Sequence, residues 1–287
     1  MNKKSNEEIE IAFIGGSGLY KVPGLEKIKW FKIKSSFGKP SDEICVGYLN
    51  DKKVAFLPRH GRSHNLSPSK INYRANIECL KILNVKNIIS LSAVGSLRKD
   101  YQPGSFVVID QFIDKTYKRE STFFDDGIVS HIPFAQPVCK KLKEKSIKVL
   151  KKLKIKYHPI GTYICIEGPQ FSSLAESQLY RSWGCDVIGM TNMPEAKLAK
   201  EAGICYSSIA MVTDFDCWHP DHEKVTVDTI IATLKDNSSK AFEFIKEFSM
   251  ISSIKCADFD QNLSKNSIIT DLSNVDKKTK KKLKYII

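Results

Sequence analysis

The sequence predicts an α/β fold, a single domain built on a mixed central β-sheet flanked by helices. Three observations carry this. Short apolar, β-branched runs alternate with helix-length stretches along most of the chain, the pattern of strands joined by helical crossovers. Several β-rich pieces crowd together near the start, which makes the sheet mixed rather than purely parallel. One run, NIISLSAVGSL from Asn87 to Leu97, is almost wholly apolar or small, as expected of a strand buried on both faces.

The elements follow in order. IEIAFIGG is a strand that breaks at the glycine turn GGSG, and IKWFKIK, EICVGYL and KKVAFLP are three further β-rich pieces. The loop RHGRSH comes next, from Arg59 to His64. A helix is expected from Ser67-Pro68 to about Leu83, with proline in its first turn. NIISLSAVGSL is a strand ending in a small-residue turn, and SFVVIDQFI repeats its type. A helix covers about Gln136 to Lys154, TYICIEG is a strand, and helices straddle CDVIGMT. ICYSSIAMVTDFD is the last core strand, and a helix from Val225 to Phe248 closes the compact part. From about Ile251 the chain is polar and weakly patterned, so residues 251–287 are expected to form a peripheral extension on a domain spanning 1–250.

A chain of 287 residues with 42% hydrophobic and 27% charged content is within the ordinary globular range. It has no run of about 18 apolar residues that would cross a membrane. The opening MNKKSNEEIE has no apolar core of a signal peptide, so a cytoplasmic location is expected. The 8 cysteines show no zinc-like spacing; reduced, structural thiols and no metal are expected. A net charge of +13 attracts anions. Its lysines, however, are spread over exposed helix faces with no interleaved aromatics, which argues against nucleic acid.

Polar residues punctuate the strand ends, where open α/β sheets bind ligands. Gly15, Gly16 and Gly18 let backbone approach a ligand and Ser17 adds a hydroxyl, which suits an anion; a plain tight turn fits equally. A dinucleotide fingerprint would need glycine at position 21, where Lys21 stands. Of 45 basic residues only the arginines at 59, 62, 74, 98, 119 and 181 carry a guanidinium. Two of those six sit beside His60 and His64, four donors around one glycine, which favours an oxyanion site over a plain solvated loop.

Ser92 and Thr191 stand at strand ends, able to donate to phosphate oxygens or simply to cap a helix. Met190 suits either a sugar face or the core. Asp214 and Asp216 project to one side of an extended segment, suited to acid chemistry or to a donor-rich heterocycle edge. Phe171, in EGPQF, could stack on a base or fill the core.

Together these motifs resemble the trimeric purine nucleoside phosphorylases, and most closely their 5'-methylthioadenosine-cleaving branch. The matching stretches run from about Ile11 to Leu234 and include IGGSGLY, RHGRSHNLSPSKINYRANI, PGSFVVIDQFID, IEGPQFSSLAES, GMTNMPEAKLAKEAGICYSSIAM and TDFDCWH. The resemblance implies phosphorolysis of 5'-methylthioadenosine to adenine and 5-methylthioribose 1-phosphate, by a homotrimer with phosphate as co-substrate and no cofactor. It implies that Ser17, Arg59, His60, Ser92, Ala93 and Thr191 hold phosphate, with His64 between phosphate and ribose. Met190 would lie against the ribose, Phe171 near the purine, and Ser172 and Asp214 on the purine edge, with Asp216 in support. Asp214 is the implied catalytic group. Val227, Ile230 and Ile231 would receive the 5'-substituent, although their spacing also suits plain helix core, and His131 would reach in from a neighbouring subunit. The alternative is cleavage of 6-oxopurine nucleosides such as inosine or 5'-methylthioinosine, for which asparagine would be expected at Asp214.

Overall fold

A computed structural model describes residues 9–19, 22–125, 127–220, 227–251 and 262–287, with the side chains of 227–230 outside the described set. The strands are β1 (Ile11–Gly15), β2 (Glu26–Phe31), β3 (Ile44–Leu49), β4 (Lys52–Pro58), β5 (Asn87–Ser96), β6 (Phe106–Ile109), β7 (Gln111–Lys115), β8 (Tyr157–His158), β9 (Thr162–Ile166), β10 (Val187–Gly189) and β11 (Cys205–Phe215). The helices are α1 (Tyr73–Ile82), α2 (Lys140–Lys152), α3 (Leu174–Ser182), α4 (Asn192–Glu201), α5 (Val227–Ser249), α6 (Leu263–Asn266) and α7 (Lys277–Lys282).

The strands form one mixed sheet that branches at β5. Along one edge of β5, β11 runs parallel from Asn87 to Ser96. The opposite edge is shared. β1 pairs in parallel as far as Gly15–Leu91, and β10 pairs antiparallel only at Gly95 and Ser96. Between the two pairings lie Ser92, Ala93 and Val94, whose backbone edge opens where one neighbour ends and the next has not begun. This gap in the ladder is where the site forms.

Both faces of the inner strands are apolar, in strict alternation. On β1, Ile11 and Phe13 enter a core layer with Phe244 and Phe248 of α5, while Ala12 and Ile14 enter another with Tyr73 and Ile77 of α1 and Ala196 and Ala199 of α4. A side-chain period of two sends successive residues to opposite layers, so a strand sandwiched between helices reads as one continuous apolar run. β2 is the exception, an edge strand with all 6 residues exposed.

Three expectations are corrected. Pro68 does not open the first long helix. It starts a single 3-10 turn, Pro68–Lys70; α1 then begins after Asn72, whose side chain accepts from the Ala75 N–H as a cap. SFVVIDQFI is two strands rather than one: β6 pairs with β11 and β7 with β9, with the break at Asp110. Ser92 lies inside β5, not in a turn after it. Residues 262–287 return to the body, where Val275, Leu283 and Ile286 are buried in the α1–α4 core layer.

Candidate active site

A cavity of about 620 Å³ opens at the β5 gap, within the range of small-molecule sites. Of the sequence-predicted residues it gathers Ser17, Arg59, His60, His64, Ser92 and Ala93 on one side. Phe171, Ser172, Met190, Thr191, Asp214 and Asp216 complete its lining.

The floor is built around Arg59, which is 0% exposed. Its Nε donates to Glu195 Oε2 at 2.7 Å, and its Nη2 donates to Glu195 Oε1 at 3.1 Å and to Ser90 Oγ at 2.6 Å. The remaining arm, Nη1, donates to the Leu91 carbonyl at 3.1 Å and lies against Gly16, where a Cβ would sit 3.0 Å from it. Glycine at 16 therefore lets the guanidinium reach the GGSG turn. Burial opposes the charge on Arg59, but the Glu195 carboxylate more than restores it, so the guanidinium stays protonated above its ordinary range.

Glu195 also accepts from Ser90 Oγ at 2.7 Å and Tyr206 OH at 2.9 Å, which leaves neither carboxylate oxygen short of donors. Buried charge pairs need such extra bonds to be tolerated. Tyr206 is on β11 and Glu195 on α4, so the clamp is wired into both layers of the fold.

His60 behaves differently. Burial drives its pKa down to about 4, so the ring is neutral at neutral pH. Its Nδ1 lies 2.7 Å from the Leu66 carbonyl. A carbonyl only accepts, so the proton is on Nδ1 and Nε2 carries the lone pair. His64 stacks on it, with ring centroids 4.6 Å apart.

Arg62 departs from the four-donor reading of the loop. Its guanidinium turns outward, making a bidentate pair with Asp42 at 3.0 and 2.9 Å and covering the Trp30 ring at 4.0 Å. One arginine of the motif faces the cavity; the other ties the loop to the edge strand.

At the wall, Ser92 Oγ is buried with no hydrogen-bond partner among the described residues, and so is Ser172 Oγ. Buried hydroxyls left unpaired are costly, and both line the cavity. Thr191 holds the N-cap position of α4, yet its side chain does not cap the helix. Asp214 sits just past a register shift between β5 and β11, and its Oδ2 accepts from Thr213 Oγ1 at 2.6 Å. Asp216 is 7% exposed, and its N–H donates to the Ser96 carbonyl. Gly168, at φ 66°, is pressed by Met190, whose Sδ lies 2.5 Å from where a Cβ would be.

Some predicted residues are not gathered here. Ile231 is 56% exposed and lies one turn farther out along α5 than Leu234, which does line the cavity. The side chains of Val227 and Ile230 lie outside the described residues. His131 is exposed, and its N–H donates to the Ser267 carbonyl at 3.0 Å, away from this chain's cavity. Glu195, Arg119 and Leu234 were not anticipated. No spacing rule marks a carboxylate that meets an arginine 136 positions away.

Among the described residues no group of three or more His, Cys, Asp or Glu is arranged to hold a metal ion. The 7 described cysteines are free, 6 of them buried; Cys256 lies outside the described residues. No described helix is long and apolar enough to cross a membrane. The cavity thus joins a buried cation and the unpaired Ser92 hydroxyl at one end to an exposed aromatic, the Ser172 hydroxyl and two carboxylates at the other.

The phosphorylase superfamily model matches residues 10–249. The S-methyl-5'-thioadenosine phosphorylase of Rhodospirillum rubrum is 55% identical over 236 residues, covering 82% of this chain and 80% of that one. Among solved structures, a methylthioadenosine phosphorylase from an Antarctic soil metagenomic library superposes with a TM-score of 0.92 at 44% identity, covering 98% of this chain and 99% of that chain. The Schistosoma mansoni methylthioadenosine phosphorylase, in complex with adenine, superposes with a TM-score of 0.81 at 36% identity over 84% of this chain and 91% of that one.

Proposed function

The chain belongs to the phosphorylase superfamily, and from that membership we propose that it catalyses reversible phosphorolysis of 5'-methylthioadenosine to adenine and 5-methylthioribose 1-phosphate. It is a pentosyltransferase of purine and methionine salvage. The observation that carries the reading is the cavity's polarity: a buried, fully charged Arg59 and an unpaired Ser92 hydroxyl at one end, and Asp214 with Phe171 at the other.

Phosphate sits on Ser17, Arg59, His60, the Ser92-Ala93 edge of β5 and Thr191. Arg59 supplies the charge and the open β5 edge supplies backbone donors. The purine lies on Phe171, its edge read by Ser172 and Asp214 with Asp216 in support; Met190 packs on the ribose and His64 spans ribose and phosphate. As the C1'–N9 bond breaks, its electron pair leaves with the base and positive charge grows on the sugar. A phosphate oxygen faces that charge and forms the new C1'–O bond. Asp214 shares a proton with N7 and so offsets the charge on the departing base. No covalent enzyme intermediate arises, and no cofactor takes part; catalysis rests on positioning and electrostatics.

The enzyme works as a homotrimer in the cytoplasm, where its thiols stay reduced. The support for assembly is the mouth of the cavity. Phe171 is 80% exposed there, with Leu174 and Leu179 of α3 and Trp183 just past its end also exposed, an apolar rim of the kind that partners cover. His131 reaches into a neighbour's site, where it meets the 5'-group that Val227, Ile230 and Ile231 of that site hold, and within the C-terminal extension residues 262–287 are anchored by Val275, Leu283 and Ile286. A fully active monomer in sedimentation would remove the assembly from this reading.

Base choice decides between the two nearest substrates. A 6-amino group donates to carboxylates, whereas a 6-oxo group is repelled by them; such a mismatch costs about 1–3 kcal/mol, roughly tenfold to a hundredfold. Parallel assays of base release should therefore favour methylthioadenosine over methylthioinosine by that margin. A preference for methylthioinosine would overturn the assignment.

A further inference from the structure

We infer that Arg119, which does not line the cavity, is a positioning residue that locks the purine turn and the phosphate turn to one another, so that the two substrates are organised by one guanidinium. The inference rests on the phosphorolysis reading for the roles of the turns, and on geometry for the lock itself.

Arg119 is 1% exposed at its side chain. Its Nη1 lies 2.7 Å from the Met190 carbonyl and 2.6 Å from the Met193 carbonyl, both in the segment that carries Thr191. Its Nη2 lies 2.7 Å from the Glu167 carbonyl and 3.4 Å from that of Ile166, at the head of the segment that carries Phe171 and Ser172. Four carbonyls from two separate turns thus converge on one planar cation. The Met190 carbonyl is held from behind while the following Thr191 N–H donates to Tyr163 OH at 3.4 Å, which sets the peptide plane before Thr191.

A third loop is tied in through Glu167. Its Oε2 accepts from the N–H groups of Tyr117 and Lys118 at 2.7 and 3.3 Å. Its Oε1 accepts from Ser69, in the turn that follows the Arg59–His64 loop. Lysine is abundant in this chain, yet a single ammonium is a point donor and cannot bridge carbonyls on two sides as a fork can. Removing the fork leaves several buried acceptors unsatisfied and facing one another.

The lock makes a prediction that a merely structural arginine does not. In the wild-type protein, inorganic phosphate alone should slow amide exchange at 190–194 and, through Arg119, also at 167–172, although phosphate touches only the first segment. Adenine alone should do the reverse. In Arg119→Lys the coupling should vanish, and kcat/KM should fall about a hundredfold with both KM values raised. Guanidinium added to Arg119→Ala should recover part of that loss.

Protection confined to the segment each ligand contacts, in the wild type, would overturn the inference even if every variant failed to fold. So would an Arg119→Lys enzyme that melts earlier but keeps wild-type constants. If the wild type released no base from nucleosides, the phosphorolysis reading would fail, while the exchange pattern with phosphate would still judge the lock on its own.

Discussion

The two ends of the cavity are made in different ways. At the end proposed for phosphate most of the side chains are buried: Arg59 is 0% exposed, His60 6%, Ser92 2% and Thr191 6%. At the nucleoside end Phe171 is 80% exposed, and Ile231, read for the 5'-group, does not line the cavity among this chain's described residues. A small, highly charged ligand must be met by fixed dipoles whose cost is already covered in folding. A larger, flatter ligand can be enclosed by surfaces that come together on assembly or binding. The Arg59–Glu195 pair at the end proposed for phosphate is thus part of the core, and breaking it disturbs folding, whereas the nucleoside end can be altered with the fold intact.

The largest effect tests this directly. Glu195→Gln leaves the Arg59 guanidinium buried with a neutral partner, which should cost about 3–5 kcal/mol of stability as well as phosphate binding. Arg59→Ala belongs to the same class, because its guanidinium is bonded to Glu195, Ser90 and Leu91 rather than reserved for the anion. Thermal melts would show it. A Glu195→Gln protein as stable as the wild type would mean the anion end is not part of the core.

A smaller effect follows from His60. Its pKa in the fold, about 4, is below the ordinary value of 6.5 because burial penalises the charged ring. The unfolded chain therefore binds more protons between those values, and stability falls as pH drops from about 6.5 through 4. The loss should reach about 2 kcal/mol in the wild type and be absent in His60→Gln. Denaturant titrations at pH 7 and pH 4.5 would measure it; identical slopes with pH in both proteins would remove His60 from the account.

Base choice comes next. Asp214→Asn should narrow or reverse the preference for methylthioadenosine over methylthioinosine, a change of about tenfold to a hundredfold in the ratio of kcat/KM values. An unchanged ratio would place purine selection elsewhere.

The smallest effects form a matched pair. Ser92→Ala should raise the phosphate KM about tenfold without lowering the melting temperature, since its hydroxyl has no hydrogen-bond partner among the described residues. Phe171→Ala should raise the nucleoside KM about fivefold to tenfold and leave the phosphate constant alone. Each substitution altering both constants equally would erase the distinction between the ends.

How much of this the sequence disclosed follows the same division. The mixed sheet was legible because strands buried on both faces are continuous apolar runs, and the strand-end motifs because glycines, arginines and small hydroxyl residues interrupt them. Boundaries were less so: Pro68 is as much at home in a single 3-10 turn as at the start of a helix, and only the Asn72 side chain decides which. The division of Arg59 from Arg62 was illegible, since two arginines three positions apart look alike until Glu195 and Asp42 claim them. Arg119 was hidden for another reason. It binds backbone carbonyls, and carbonyls leave no mark on a sequence.

In the proposed reaction the buried cation end delivers phosphate as the nucleophile. The direct measurement is adenine release from methylthioadenosine with and without inorganic phosphate, with the sugar product identified. Release that depends on phosphate and yields 5-methylthioribose 1-phosphate in equal amount is expected. Adenine released at the same rate without phosphate, with free 5-methylthioribose as the product, would contradict it.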